Sequence, residues 1–228
     1  AVTVDASALG YPLDSLADVP PGEYWVQAWL NVYTTFERAD GHVVKLHRDQ
    51  GEGQKWHRSP GNLHSAPQRV RIDPSEDSVV RLVLDQVIPP IEPPAETAWV
   101  KNFEIVSERV SEFWGRPMRI GARVLVPRGF ELDADRRYPL VIQHGHFSTA
   151  PPGGFLEPGD VVDPDAPTER EQRGLELHEA WTGDDFPRFL LVTIQHPTPY
   201  YDDSYAVNSE NHGPYGDALV KELIPALE

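Results

Sequence analysis

The sequence has no cysteine among its 228 residues. Disulfide scaffolds, thiolate metal sites and cysteine nucleophiles are therefore excluded, while the compartment stays open. Positive charge is also scarce. Lys and Arg number 20 against 36 Asp and Glu, for a formal net charge of −16. Nucleic-acid backbones and anionic membrane surfaces need a positive patch, so neither is an expected partner. No run approaches the ~18 apolar residues of a membrane span. No charged-then-apolar signal segment opens the chain. Gly-x-Ser-x-Gly, the nucleophile elbow of many serine hydrolases, does not occur.

Proline is what the chain has in excess. Its 23 residues are roughly twice the usual share of ~5%. They punctuate apolar segments rich in Val, Ile, Trp and Tyr, which speaks for strands with stops rather than for disorder. The length admits one large domain or two small ones. Glu23 to Thr34 alternates, with Val26, Ala28, Leu30 and Val32 on one face and Trp25, Trp29 and Tyr33 on the other, and predicts one strand. Asp40-Gly41 offers a turn before a strand over His42–His47. Gln50–Ser65 reads as a long loop, and Arg69–Asp73 and Val79–Leu84 as short strands. The pattern predicts an immunoglobulin-like β-sandwich over residues 1–94. It ends in the extended, proline-rich linker Val87–Pro94.

From residue 95 to 228 the pattern changes. Trp99–Ser107 and Met118–Val126 read as strands. Pro139–Gln143 and Phe189–Gln195 are short apolar runs of the kind buried on both faces of a mostly parallel sheet. Between them, Glu157–Asp185 carries ten acids and two arginines, half the net charge of the chain. It reads as a solvated segment with a helix over Thr168–Trp181. The last segment predicts a helix with Leu219, Val220, Leu223, Ile224 and Leu227 as its apolar stripe. Asn211 or Gly213 is its expected cap, and Pro225 is expected to kink or end it.

Three groups of residues could carry chemistry. In PLVIQHGHF (139–147) a buried strand breaks at Gly145, which aims backbone N–H groups into a cleft at the sheet's carboxyl edge, where such groups stabilise an oxyanion. His144 and His146, at i and i+2, are possible zinc ligands, with His196, Asp202 or His212 as the third. The polar, proline-stiffened loop Gln195–Asp217 follows the last strand. Ser204 or Ser209, His212 or His196, and Asp202 are the residue types of a Ser-His-Asp set, though nothing local fixes the geometry that set requires. The substrate-cleft candidates are His144, Gln195, His196, Tyr200 and Asp202. The aromatic face Trp25, Trp29, Tyr33 is either a sugar platform or a packing surface.

The stretches YWVQAWLNVYTTF, RSPGNLHS, VIPPIEPP, SEFWGRPMRIGA, YPLVIQHGHF, IQHPTPYYDDSYAVNS and NHGPYGDALVKELIPALE cover nearly the whole chain. Together they resemble a group of secreted bacterial esterases of the α/β-hydrolase superfamily, related to enterochelin-esterase-like proteins. The resemblance implies a β-sandwich followed by the first part of an α/β-hydrolase domain. It implies Ser, Asp and His catalysis on a small-molecule or glycan-linked ester, with no metal or other cofactor, in a secreted or periplasmic protein. It implies that the backbone N–H of His146, with Phe147 next, forms the oxyanion hole. In such proteins the final helix here precedes the strand bearing the serine, and more sequence precedes the sandwich. On this reading the chain is an internal piece whose nucleophile lies beyond Glu228, and it is inactive alone. The alternatives are a carbohydrate- or protein-binding module using Trp25 and Trp29, and a histidine metal hydrolase. The sequence assigns no oligomeric state.

Overall fold

A computed structural model of the chain describes residues 2–5, 8, 10–47, 57–73, 75–76, 79–132, 135–146, 148–200 and 202–228. The first strands are β1 (Gly22–Val26), β2 (Trp29–Leu30), β3 (Tyr33–Glu37), β4 (Val43–His47), β5 (Leu63–His64), β6 (Gln68–Ile72) and β7 (Gln86–Val87). There follow β8 (Val100–Ser107), α1 (Glu108–Trp114), β9 (Met118–Leu125), β10 (Leu140–Gln143), α2 (Glu169–Thr182) and β11 (Leu190–Gln195). The chain closes with β12 (Asn208–Ser209), β13 (Gly213–Pro214), α3 (Tyr215–Ala218), a π-helical turn over Leu219–Leu223 and α4 (Ile224–Leu227). The fold is mixed, with many short strands in several sheets and few helices. No helix among the described residues is long and apolar enough to cross a membrane.

The chain divides into two compact units, Ala1–Val32 with Trp56–Pro90, and Tyr33–Lys55 with Ile91–Glu228. In the first unit β1 pairs with β6, and β2, β5 and β7 form a three-stranded sheet. The single strand expected over Glu23–Thr34 is thus broken into β1, β2 and β3, which belong to three different sheets. Side chains cause the breaks. The Ala28 N–H donates to Ser65 Oγ at 3.0 Å and the Val32 N–H to Asn62 Oδ1 at 2.9 Å. Each takes the place of a ladder bond. The expected strand over Val79–Leu84 does not form either. Val79 and Val83 are exposed, and β7 forms just after it.

In the second unit β3 and β4 form the hairpin expected around Asp40-Gly41. Gly41 has φ of +84°, the left-handed turn position that glycine adopts without strain. The Asp40 carboxylate accepts the His42 N–H at 3.0 Å. The main sheet has the order β10-β11-β9-β8. It is not mostly parallel, because only β10 and β11 run parallel, while β8–β9 and β9–β11 are antiparallel. Chain length between strands decides this. The short link through α1 suits antiparallel neighbours, whereas the long α2 segment from β10 to β11 can make a parallel crossover. Apolar runs alone do not carry that direction.

Both faces of this sheet are covered. Ile120 and Ile194 pack with Val110 and Trp114 of α1 and with Tyr215, Leu219 and Leu223 of the C-terminal helical segment. Val100 and Leu125 pack with Phe155 and with Trp181 of α2. Helix α1 was not anticipated. Ser107 caps it, its hydroxyl accepting the Val110 N–H at 3.2 Å, and Gly115 ends it in the left-handed region. Thr168 and Glu171 close a capping box on α2. The last helical segment begins at Tyr215, and neither Asn211 nor Gly213 caps it. The Asn208 side chain accepts the Asp217 N–H at 2.9 Å instead. The π-helical turn ends two residues before Pro225, whose missing N–H disturbs the α-helical register there.

Candidate functional site at the carboxyl ends of two parallel strands

Because β10 and β11 are parallel neighbours, their carboxyl ends lie at one sheet edge. From β10 the chain turns through His144, Gly145 and His146. From β11 it continues into His196 and a tight loop, where Pro197 and Asp203 form an isolated bridge and the Thr198 N–H donates to the Asp202 carbonyl at 2.8 Å. That loop delivers Asp203, fully buried, to the β10 turn.

Asp203 is shared by two imidazoles. Its Oδ2 lies 2.7 Å from His146 Nδ1 and its Oδ1 lies 3.4 Å from His196 Nδ1. A carboxylate oxygen accepts, so His146 Nδ1 is the donor in this hydrogen bond. The His146 side chain is 57% exposed, whereas that of His196 is buried. His196 Nδ1 also lies 2.8 Å from Ser204 Oγ, and the Gly145 backbone is near enough to act on the ring. Burial lowers the His196 pKa, with the Asp203 charge opposing. Asp203 thus ties the turn to the loop after β11 through His146, and His196 lies beside Gly145.

The backbone after Asp203 is strained. Tyr205 and Ala206 both have φ of +54°, in the left-handed region. Such residues cost of order 1–3 kcal/mol each and persist where surroundings over-determine them. Here Asp203 Oδ1 accepts the Tyr205 N–H at 2.7 Å and Ser204 Oγ accepts the Ala206 N–H at 3.3 Å. The Tyr205 ring meets His146 edge-on, with centroids 5.6 Å apart.

The sequence candidates disperse. His144 and His146 line a pocket with Ser148, Thr193 and Arg170. The Gln195 amide donates to the Ser148 carbonyl and straps the loop after β10. Gln143 does likewise, accepting the Gly153 N–H at 2.8 Å, and buried Arg123 donates to the Thr149 carbonyl at 2.9 Å. Tyr200 and Asp202 line a different cavity of about 280 Å³, with Arg38, His42, Asn211 and His212. Tyr200 itself sits in the core against Phe36, and burial pushes its pKa up to about 12. Burial also lowers the pKa of His212, against the charges of Asp202 and Asp203. Phe147 lies outside the described residues, as does Trp56.

Ser204, His196 and Asp203 do meet, but all three are buried, so the set reaches no substrate. Among the described residues no three of His, Asp and Glu are placed to hold a metal ion. Trp25, Trp29 and Tyr33 stand on three separate sheets rather than on one strand face. Trp29 stacks on His64 at 4.6 Å. Asp203, Tyr205 and Arg123 are not among the sequence candidates, and Ser204 is there only as a possible nucleophile. The Asp202-Asp203-Ser204 run was the available signal, but sequence does not tell which of two adjacent acids turns inward. No protein-family model and no curated protein matches the chain.

Proposed function

We propose that the chain is part of a serine carboxyl-ester hydrolase of the α/β-hydrolase superfamily, with an immunoglobulin-like N-terminal unit, and that it contributes the oxyanion side of the active site. One observation carries this reading: the Gly145–His146 turn, at the carboxyl edge of two parallel strands, is held through the His146 imidazole by the buried carboxylate of Asp203, 2.7 Å away. An oxyanion hole depends on backbone donors fixed before the charge develops, and one such donor is worth about 2.7–4 kcal/mol. A buried carboxylate that holds the turn by its imidazole, with the buried His196 ring beside it, supplies that fixity. In this role Asp203 and His196 are positioning residues, and the N–H of His146 is the group that touches the reacting oxygen.

The chemistry is acyl transfer. A serine attacks the ester carbonyl, the tetrahedral oxyanion collapses with loss of the alcohol, and water releases the acid from the acyl-enzyme. The serine is not Ser204, which is buried and spends its hydroxyl on His196. The test starts with the source gene beyond the codon for Glu228. An open frame that soon encodes Gly-x-Ser-x-Gly is expected. The protein including that segment is expected to turn over p-nitrophenyl acetate, with all turnover lost to a serine-directed phosphonate. A stop codon directly after Glu228, or a phosphonate adduct on Ser204, overturns the assignment.

A further inference from the structure

The pocket beside the Gly145–His146 turn has a volume of about 180 Å³. Its described lining includes Arg170, His144, His146, Ser148, Thr193 and Gln143, and no Asp or Glu. This is an exception in a chain where acids outnumber Lys and Arg by 36 to 20. Arg170 is exposed and stands in the most acidic segment of all.

The acids flanking Arg170 in sequence are engaged elsewhere. Glu169 pairs with Arg173 at 4.0 Å. Glu171 accepts from the Thr168 N–H and hydroxyl, at 2.8 and 2.7 Å, and from the Val162 N–H at 3.2 Å. Among the described residues Arg170 forms no ion pair. It also occupies the first turn of α2, where the helix dipole favours acids and disfavours a cation. Helix stability does not account for an arginine there, whereas an anion in the pocket does.

We infer that Arg170 is a specificity-determining residue, and that the pocket takes the acyl part of esters carrying a free carboxylate, the short half-esters of dicarboxylic acids. The inference rests on the esterase reading for the chemistry but not for the binding. A planar guanidinium fork matches a carboxylate bidentately. The ester carbonyl then belongs at the Gly145–His146 turn and the remote carboxylate at Arg170. The volume lies below the ~300–1,000 Å³ of pockets for drug-sized ligands, which limits the acyl chain to a few carbons.

The test titrates the 228-residue chain with monomethyl succinate, methyl butyrate and inorganic phosphate, following the imidazole carbon-bound proton resonances of His144 and His146. Monomethyl succinate is expected to give saturable shifts. Methyl butyrate, of similar size and uncharged, is expected to give none at the same concentrations. Arg170→Gln should weaken binding at least tenfold at an unchanged melting temperature, with Arg170→Lys in between. Equal binding of the neutral ester, indifference to Arg170→Gln, or phosphate binding as tightly as monomethyl succinate overturns the inference. Should Arg170→Gln not fold, the comparison of the two esters on the unaltered chain decides. The two readings fail separately. Arg170-dependent binding without serine-dependent turnover in the extended protein removes the esterase reading alone. Turnover with equal kcat/KM for both esters removes the carboxylate assignment alone.

Discussion

The two units of this chain are built on different principles. In the first, the buried residues among those described are Ser59, Pro60, Asn62 and Ser65, while Trp25, Val79, Val83 and Val87 are exposed. Asn62 and Ser65 satisfy backbone groups that the short strands leave over. In the second, Val110, Ile120, Leu125, Trp181, Val192 and Leu223 form apolar clusters on both faces of the main sheet. A unit organised by polar side chains can carry short, interrupted strands. A unit organised by apolar burial needs longer periodic ones, and its stability scales with area removed from water.

The largest test of that contrast is in the second unit. Trp181→Ala removes a buried indole whose Nε1–H donates to the Val126 carbonyl at 2.8 Å. It is expected to cost about 3–5 kcal/mol, read from the urea midpoint. A loss under about 1 kcal/mol would mean that the apolar cluster is not what holds this unit. Asn62→Ala comes next, at about 1 kcal/mol, the cost of taking the acceptor from the half-buried Val32 N–H. Amide exchange should quicken at Val32 first. If it does not, the polar scaffold of the first unit is dispensable and the contrast fails there.

A smaller effect follows from pH. Burial holds His196 below its ordinary value of 6.5 in the folded chain. As pH falls, the unfolded chain takes up that proton first, so acid favours unfolding. His196 contributes its full stability above about pH 6.5. That contribution is lost as pH falls from there through the lowered folded value, at no more than about 1.4 kcal/mol per pH unit. Denaturation at pH 7 and pH 5 should show the drop, and His196→Gln should reduce it. The smallest effect is expected at Trp25, 73% exposed on β1. Trp25→Ala should stay within about 0.5 kcal/mol. A larger cost would show that this ring has a packing role after all.

The same contrast explains what could be read in advance. β8, β9, β10, β11 and α2 fall within a residue or two of their expected bounds because apolar alternation, short apolar runs and the Thr168 cap mark them. The strand over Glu23–Thr34 was misread because its alternation is real while its ladder is cut by Ser65 and Asn62, some 30 residues away. The direction of the sheet was misread because Val, Ile and Leu report burial and not polarity of the chain. At the candidate site, His144 and His146 were legible from the break at Gly145. Asp203 was not, because its role depends on the Pro197–Asp203 bridge turning one of two adjacent carboxylates inward.

Gly174, in the middle of α2, bears on the proposed ligand preference. A Cβ there would stand 2.6 Å from the Gly154 carbonyl oxygen and 2.7 Å from the Leu156 Cβ. The Leu156 N–H donates to the Gly174 carbonyl at 3.3 Å. The helix that carries Arg170 therefore touches the segment walling the pocket with nothing between them but a hydrogen atom. Gly174 acts as a spacer of zero thickness. One added methyl would act as a shim, shifting the guanidinium outward while leaving every ligand-facing side chain unchanged. Ligand preference would then change through a part that the ligand never meets.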